Sequence, residues 1–532
     1  MKLKTLLNCA LLTVALAVVV LCGRLFLEGY SHILFADSWV VLMDFKAANF
    51  QVTPAQLLGF HSEHRPLFAR LPILADTLWA GGRGYVPFTL IFLTQAAHAW
   101  LLTFIARKQT WFQISQLPLV VALAVFCCFS PAQMENFIWS FQTAFVLNFF
   151  FATAGAAAVA AQKENQSPKW IAAVFICACG APLCLASGVF VWWIVIAMSI
   201  ALRLPRKWIV IYTAAAVLTM LLYVQGYKQP PGHNSPLDAL RQPLGVLHYI
   251  AYFLGASWKW WTMGFGELLA LAASVLLGFR IVSFIRARPT NPWEMVPLAV
   301  MLFSLGTGFL AALGRLNFGL DQAGSSRYQT PALLFWFMTA LLVLQVLSKQ
   351  AESVRLAFAG FVLLAMLSVF PASTGAFALV RDRRMGWEQA EAAWVSGVQD
   401  TNVINAMIAG NQLELYWPYR ERHLGLFSVE PGAELGTIVS GDRIQGSNYC
   451  AGQFSRDAYF LGKEWPGIRL RGNAHLSSDL TPIREFITTT LDRRVVGVGV
   501  DGVVYASVKT EKEPLIVYGL LDHGKVCAVS TD

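Results

Sequence analysis

Runs of apolar residues, most of them about as long as a membrane crossing, alternate with short polar turns over the first 372 residues. A helix needs about 20 mostly apolar residues to cross the hydrocarbon core of a bilayer. The pattern predicts an α-helical polytopic membrane protein with about eleven transmembrane helices. The eleven runs lie at 5–27, 86–106, 114–130, 143–161, 169–187, 189–203, 208–225, 267–285, 294–313, 330–348 and 354–372.

The pattern changes after residue 380. A polar, helix-like stretch at 387–407 is followed, from residue 434, by short β-type runs that Gly, Asp and Asn separate. Such runs are typical of strands. We therefore predict a transmembrane domain at 1–380, with a large first outside loop at 28–85. A soluble C-terminal domain at 381–532 follows, with an α+β or β-sandwich-like fold.

Basic residues predict the orientation, because Lys and Arg are enriched in cytoplasmic loops. The clusters between the runs fall on one side of the membrane if the number of crossings is odd. The N-terminus is then cytoplasmic and the C-terminal domain lies outside. The first run has no small-x-small cleavage site at its end, so we predict an uncleaved first helix rather than a signal peptide.

The apolar segment 246–262 does not fit this count. If it crossed the membrane, Arg286 and Arg288 would lie outside. We predict a re-entrant or interfacial helix, with Trp258, Trp260 and Trp261 at the level of the lipid headgroups, where such rings are enriched.

Composition supports the membrane interpretation. The chain is 56% hydrophobic and 13% charged, whereas soluble domains have about 25% charged residues. The first 380 residues carry a net charge of +12 and the rest carry −3. Positive charge beside membrane helices follows from orientation alone, so it does not indicate nucleic-acid binding. We predict a lipid bilayer, and no nucleic acid, as partner.

Cysteine usage predicts one disulfide. Seven of the nine cysteines lie in apolar runs, where Cys packs as a small hydrophobic residue. The C-terminal domain holds only Cys450 and Cys527, which form a candidate disulfide if that domain lies in an oxidising compartment. There is no CxxC motif, so zinc-binding and thioredoxin-like functions have no support.

The distribution of charged residues predicts that the active region lies at the outer boundary of the membrane. The apolar runs have almost no ionisable residue near their middle, unlike ion-coupled transporters, which bind the coupling ion there. Basic residues that orientation does not explain lie outside instead. One interpretation is an anionic ligand such as a lipid phosphate, and the other is salt bridging to acidic residues and headgroups. These residues are Arg65, Arg70, Arg83, Arg315 and Arg327.

The first outside loop holds most of the remaining candidates. Asp37 and Asp44 share a face if both lie on one helix, and Asp37 is either a general base or a helix cap. His61, Glu63 and His64 precede Arg65 in a dense polar cluster. The cluster fits hydrogen bonding to a sugar or phosphate, or a loop held by its own polar contacts. Its spacing matches no standard zinc motif, so a divalent metal is unsupported.

Two further polar groups occur at predicted helix starts. Glu135 and Asn136 precede the fourth run, where the helix dipole alone favours an acid. Ser325-Ser326-Arg327-Tyr328 precedes the tenth run. Serine caps explain part of this group, but Arg327 opposes the dipole, so its position favours an anionic partner.

The order of these motifs resembles bacterial multi-pass glycosyltransferases of the GT-C superfamily. The resemblance covers an Asp outside the first helix, Glu63-His64-Arg65, the segment from Glu135 to Gln142, the group ending at Tyr328, and the Cys450-Ala-Gly segment. It implies transfer of a sugar from a polyprenyl-phosphate donor to an extracytoplasmic hydroxyl of a glycan, lipid or protein. It also implies the bacterial inner membrane and a role in making cell-envelope polysaccharide.

The resemblance assigns residue roles by position. Asp37 would be the catalytic base, although many relatives have paired acids there and Ser38 follows Asp37 here. Arg65, Arg315 and Arg327 would bind the donor phosphate. The sugar or acceptor pocket would hold Asp44, His61, Glu63, His64, Glu135, Asn136 and Tyr328. Two other functions stay open: a flippase or transporter for lipid-linked glycans, and a non-enzymatic scaffold for envelope assembly.

Overall fold

The computed structural model describes residues 2–531 except 32–33, 47–50, 231, 234, 259–264, 288–290, 408–412, 447 and 462–464. It divides into two compact units. The first consists of 1–27, 54–69 and 88–377, and the second of 28–53, 70–87 and 378–532. Two parts of the predicted outside loop at 28–85 therefore group with the C-terminal residues, which differs from the predicted boundary at 380.

The helices of the described residues follow the predicted pattern closely. All eleven apolar runs are helical at least in part. The helices are α1 Lys2–Gly29, α2 Asp37–Lys46, α3 Pro54–Leu58, α4 Leu67–Trp79, α5 Tyr85–Arg107, α6 Leu117–Phe129, α7 Glu135–Ile138, α8 Thr143–Glu164, α9 Pro168–Gly180, α10 Phe190–Ala201, α11 Arg206–Val224, α12 Pro236–Leu240, α13 Pro243–Gly255, α14 Phe265–Ala287, α15 Met295–Arg315, α16 Gly319–Ala323, α17 Gln329–Leu347, α18 Glu352–Leu367, α19 Val369–Val395, α20 Thr401–Met407 and α21 Leu413–Glu421.

Nine helical segments among the described residues are long and apolar enough to cross a membrane. The chain is thus a membrane protein by the length and composition of its helices. The other two predicted runs form the shorter apolar segments Pro168–Leu183 and Ala186–Ala201. Each includes a 3-10 turn, at Ala181–Leu183 and at Ala186–Val189, and the non-helical residues Cys184 and Leu185 separate the two segments.

The helical unit is built around α8. The apolar window of α8 is 83% buried, and α8 packs against α9, α10, α15 and α17. The windows of α11 and α14 are only 17% buried although they are at least as apolar as that of α8. A helix that is apolar all round is stable in the core of a protein or facing lipid. The burial therefore separates a central helix from two that are suited to face lipid.

The described part of the segment 246–262, which ends at Trp258, is not among the helices long enough to cross a membrane. Its helix, α13, has 13 residues and continues as a 3-10 turn to Trp258. Thirteen residues span about 20 Å, which is less than the ~30 Å hydrocarbon core. The Trp258 ring packs edge-on against Trp336, with 5.2 Å between ring centroids. Trp260 and Trp261 lie outside the described residues.

The second unit ends in a seven-stranded closed barrel, and this corrects the predicted sandwich. The strand order is β1-β2-β5-β4-β3-β6-β7, and β1 closes the barrel by pairing in parallel with β7. Short β-type runs are present as predicted, but their sequences do not determine which strands meet. The strands are β1 Cys450–Phe460, β2 Gly467–Leu476, β3 Glu485–Thr489, β4 Val495–Val500, β5 Val503–Ser507, β6 Ile516–Leu520 and β7 Val526–Thr531.

Close packing and a disulfide hold this barrel together. Phe454 and Phe486 are fully buried and meet edge to face at 5.0 Å. Gly497 lets β4 approach β5, because a Cβ there would lie 1.9 Å from the Tyr505 carbonyl oxygen. The predicted pair Cys450 and Cys527 forms a disulfide between β1 and β7, with a Cα–Cα distance of 5.9 Å.

The helices of the second unit also share a core. Trp39 on α2 and Trp394 on α19 are both almost fully buried, and their rings meet at 5.1 Å. A large aromatic pair of this kind contributes strongly to burial and packing. It ties the segment 28–53 to the C-terminal residues within one unit.

Candidate functional site

The helical unit contains a cavity of about 340 Å³. Its walls come mainly from α8, α11, α15 and the turns between α9 and α10. Most of the lining is apolar and includes Phe145, Phe149, Leu185, Met220, Leu310 and Leu313. Its polar lining includes the charged or titratable side chains of Glu63, His64, Tyr223, Tyr227, His233, Arg315 and Tyr328.

Arg315 is the centre of the polar group. It is the last residue of α15, and its guanidinium donates from Nη2 to Glu63 Oε1 and from Nη1 to the Tyr328 hydroxyl. The side chains of Arg315 and Glu63 are only 17% and 20% exposed. A buried ion pair is maintained only when hydrogen bonds satisfy its members. The pair therefore holds three separate chain segments in one arrangement.

Two histidines flank the same carboxylate. His64 Nε2 lies 3.4 Å from Glu63 Oε1, and His233 Nδ1 lies 3.8 Å from Oε2. His64 Nδ1 accepts a hydrogen bond from the Ala186 N–H at 3.0 Å, so the ring proton is on Nε2 and points towards Glu63.

Glu63 is ionised in this environment. Burial raises the pKa of Glu63. The neighbouring His64 and Arg315 lower it by more than burial raises it, and the resulting pKa is about 2. A general base works best when its pKa is near the working pH. Glu63 is therefore suited to hold cations and hydrogen-bond donors rather than to accept a proton near neutral pH.

Arg65 lies beside this group but makes different contacts. Its Nε donates to the Tyr223 carbonyl oxygen at 3.0 Å, and its other nitrogens donate to the carbonyl oxygens of Leu58 and Gln225. The guanidinium also lies 4.0 Å above the Phe60 ring. Carbonyl groups at a helix C-terminus need such donors. These contacts give Arg65 a structural role at the end of α11, and its predicted phosphate role stays a prediction.

The structure brings the two other predicted polar groups together. Glu135 Oε2 accepts from the Ser326 hydroxyl at 2.7 Å and from the Arg327 N–H at 3.1 Å. The fully buried Asn136 donates to the Arg327 carbonyl oxygen at 3.1 Å and to the Thr330 hydroxyl at 2.7 Å. These bonds join α7 to the turn before α17 across about 190 residues of sequence.

Arg327 has an acidic neighbour within the protein, and its predicted role in binding the donor phosphate stays a prediction. Its Nη1 lies 3.9 Å from Glu135 Oε1. The guanidinium also lies over the rings of Trp139 and Tyr328, at 5.8 and 5.4 Å. The protein itself thus supplies a carboxylate and two aromatic faces to this cation.

The remaining candidates divide between the two units. His61 belongs to the helical unit, where its backbone pairs with that of His64 and its ring lies 5.2 Å from the Phe141 ring. Asp37 and Asp44 belong to the second unit, with Asp37 at the first position of α2. Asp44 Oδ2 is 3.0 Å from Nη2 of the almost completely buried Arg70. Asp44 therefore serves as the partner of a buried cation.

Sequence reasoning missed two residues of the polar group. His233 lies in a Pro- and Gly-rich segment whose pattern indicates only a loop. The Tyr223 hydroxyl donates to the Glu63 carbonyl oxygen at 2.8 Å, but Tyr223 falls at the end of an apolar run. Neither residue carries a local signal. The described residues contain no group of three or more His, Cys, Asp or Glu side chains that could hold a metal ion.

Comparisons with protein-family models, with curated proteins and with solved structures found no match to this chain.

Proposed function

We propose that the protein is a membrane glycosyltransferase that moves a sugar from a polyprenyl-phosphate donor to a hydroxyl acceptor. The observation that carries the proposal is the cavity in the helical unit, which is mostly apolar and also holds Arg315. This combination suits an amphiphile with a hydrocarbon chain and an anionic head. The motif order described above adds the transferase chemistry.

The cavity has the properties of a ligand site. Its volume falls within the ~300–1,000 Å³ typical of such sites, which are mostly apolar with a few placed polar groups. Arg binds phosphate with a planar fork of N–H donors. A donor phosphate would compete with Glu63 for the Arg315 donors, and His64 and His233 would become its next neighbours.

The transfer step needs a base for the acceptor. We assign this role to Asp37, at the start of α2, because the motif resemblance gives the base to that position. The pKa of Glu63 is too low for it to accept the proton near neutral pH. The Asp37 carboxylate would take the acceptor hydroxyl proton as the acceptor oxygen attacks the anomeric carbon. The bond from that carbon to the phosphate oxygen breaks, and polyprenyl phosphate leaves with the electron pair. The sugar inverts its configuration.

The cellular setting forms part of the proposal. We propose the inner membrane of a bacterium, with the N-terminus in the cytoplasm and the C-terminal domain in the periplasm. The Cys450–Cys527 disulfide supports this orientation, because disulfides persist in the periplasm and are rare in the cytosol.

A transfer assay tests the proposal. The full-length protein is reconstituted in liposomes with radiolabelled polyprenyl-phosphate sugars and bacterial envelope glycan as acceptor. The wild-type protein should produce labelled glycan, and Asp37→Asn should lose this activity while its melting temperature is unchanged. Asp238→Asn is the matched control, since Asp238 is an exposed acid in the first turn of α12.

Two results would reject the assignment. Full activity of Asp37→Asn would remove that residue from the mechanism. Movement of the labelled lipid across the liposome membrane without any covalent product would replace the transferase with a flippase.

A further inference from the structure

Two turns of the helical unit together carry a dense group of positive charges. The first turn joins α8 to α9, and the second joins α10 to α11. Their five basic side chains are exposed, and they form what we call the basic patch. It consists of Lys163, Lys169, Arg203, Arg206 and Lys207.

The two turns lie against each other. Lys163 Nζ donates to the Arg203 carbonyl oxygen at 3.4 Å, across 40 positions of sequence. Further along the helices, the Phe175 ring on α9 meets the Tyr212 ring on α11 edge to face, with 5.6 Å between ring centroids. The basic side chains of both turns therefore belong to one surface.

The charges of the basic patch are not neutralised within the protein. The one acid of the two turns is Glu164, and its Oε2 atom lies 3.2 Å from Lys108 Nζ. None of the five basic side chains forms an ion pair with another residue in the part of the chain that the structure describes. Arg315 and Arg327, by contrast, each have a carboxylate partner from a distant segment. The basic patch is therefore available to an anion from outside the protein.

Neither membrane orientation nor helix stability explains this arrangement. Orientation requires Lys and Arg in the loops on one side of the membrane, but it does not require two turns to bring theirs together. Lys169 is the second residue of α9, and Arg206 and Lys207 are the first two residues of α11. The helix dipole disfavours cations at such positions. A bound anion would offset this cost and the mutual repulsion of the five charges.

The surroundings of the basic patch favour an amphiphilic anion. Lys169 Nζ lies 5.0 Å from the Trp170 ring centroid, and Lys207 Nζ lies 5.4 Å from that of Trp208. Trp rings at the ends of membrane helices are typical of the headgroup level. Ile176 on α9 is 65% exposed, and the apolar window of α11 is only 17% buried. Acyl chains can cover these apolar faces while a phosphate meets the cations.

We propose that the basic patch binds the headgroup of an anionic phospholipid, whose phosphate accepts hydrogen bonds from Lys and Arg side chains of both turns. The acyl chains lie along the exposed apolar faces of α9 and α11. The basic patch shares no residue with the lining of the cavity around Arg315. Its binding of a phospholipid therefore does not depend on the proposed transferase activity.

A lipid titration tests this inference. The full-length protein in a neutral detergent is titrated with phosphatidylglycerol or with phosphatidylcholine, which has no net charge, and native mass spectrometry measures the bound lipid. The wild-type protein should bind phosphatidylglycerol at least tenfold more tightly than phosphatidylcholine. Raising the salt concentration should reduce this preference, because salt screens exposed charges.

A double variant assigns the binding to the basic patch. Lys169→Gln/Arg206→Gln removes one cation from each turn. Because one Lys or Arg beside an anionic lipid contributes about a fivefold change in affinity, this variant should bind phosphatidylglycerol at least tenfold more weakly. The matched control is Arg286→Gln/Lys349→Gln, which removes the same charge from exposed positions on α14 and after α17. The control should bind like wild type, and both variants should keep the wild-type melting temperature.

Three results would overturn the inference. The two lipids could bind wild type equally, or the patch variant could bind phosphatidylglycerol as wild type does. The two double variants could also lose the same affinity, and the effect would then come from net charge alone. Displacement of the lipid by an equal concentration of inorganic phosphate would replace the lipid with a free anion as the ligand. Failure here with normal sugar transfer would leave the proposed transferase function intact.

Discussion

Arg315 and Glu63 are 252 residues apart in sequence, yet their side chains form a buried ion pair that also includes the Tyr328 hydroxyl. The pair joins the end of α15, the turn before α4 and the turn before α17. Because the guanidinium uses two nitrogens on two different partners, its position in the cavity is fixed before any ligand arrives. Such preorganisation reduces the entropy lost on binding.

We expect Arg315→Gln to weaken binding of fluorescent polyprenyl phosphate at least tenfold. The amide has no charge and cannot form the planar fork of Arg. Arg315→Lys should recover only part of the binding, since an ammonium group cannot match the fork geometry. Arg241→Gln is the control, because Arg241 is an exposed arginine of the same unit. Equal binding by Arg315→Gln and wild type would contradict the phosphate role.

Loss of one member of the Arg315–Glu63 ion pair also lowers the stability of the fold. A double variant separates this effect on stability from the effect on lipid binding. Breaking a buried pair costs about 3–5 kcal/mol, whereas replacing both members with apolar residues is often neutral. We therefore expect Glu63→Leu/Arg315→Met to melt at a higher temperature than Arg315→Gln, yet to bind polyprenyl phosphate as weakly. Recovery of lipid binding in the double variant would show that Arg315 acts only on stability.

Glu63 makes stability depend on pH in the acidic range. Its pKa is lowered from 4.5 to about 2 in the folded protein. The carboxylate therefore stabilises the fold above pH 4.5, and this contribution is lost as the pH falls towards 2. We expect the difference in melting temperature between wild type and Glu63→Gln to be largest near neutral pH and to shrink below pH 4.5. Glu164→Gln, which changes an exposed acid, should show no such trend.

The helical part of the fold could be predicted because a bilayer leaves a helix few alternatives. Backbone N–H and C=O groups in lipid must form hydrogen bonds within their own segment. Each apolar run was therefore expected to form a helix. The polar group around Arg315 could not be predicted in the same way. His233 comes from a loop and Tyr223 from an apolar run, and their proximity to Glu63 depends on how distant helices pack. Glu135 and Ser326 were recognised as polar residues, but not as partners.

Asn136 should be a strong determinant of stability in the helical unit. It is fully buried and donates two hydrogen bonds, to the Arg327 carbonyl oxygen and to the Thr330 hydroxyl. Asn136→Ala leaves these acceptors without their donor, which costs about 1–3 kcal/mol. Thermal unfolding in nanodiscs would measure the loss. Asn402→Ala, at an exposed position, should unfold like wild type, and an equally stable Asn136→Ala would show that water replaces the amide.

The disulfide should contribute strongly to the barrel. Cys450 and Cys527 are 77 residues apart, and crosslinks that close long loops typically stabilise by about 2–4 kcal/mol. We expect Cys450→Ser/Cys527→Ser to lower the melting temperature of the second unit, and a reducing agent to do the same to wild type. Cys179→Ser removes an exposed free thiol and should change neither. Insensitivity of the barrel to both treatments would contradict this prediction.

The barrel illustrates a different limit of sequence reasoning. Some of its strands were recognisable as short β-type runs, but a sandwich and a barrel are built from the same kind of run. The choice depends on the pairing of Gln453 with Ser530 and of Phe454 with Thr531, which joins β1 to β7. A contact between the first and last strands cannot be recognised from the local sequence of either strand.

That closing contact has a consequence for crowded surroundings. An open sheet presents unpaired N–H and C=O groups on its outermost strands, where another chain can add a strand and begin aggregation. Here β1 and β7 pair with each other, so both strands that would otherwise be outermost already have neighbours on either side. Copies of this domain concentrated at a membrane are thereby protected from polymerising through their sheets.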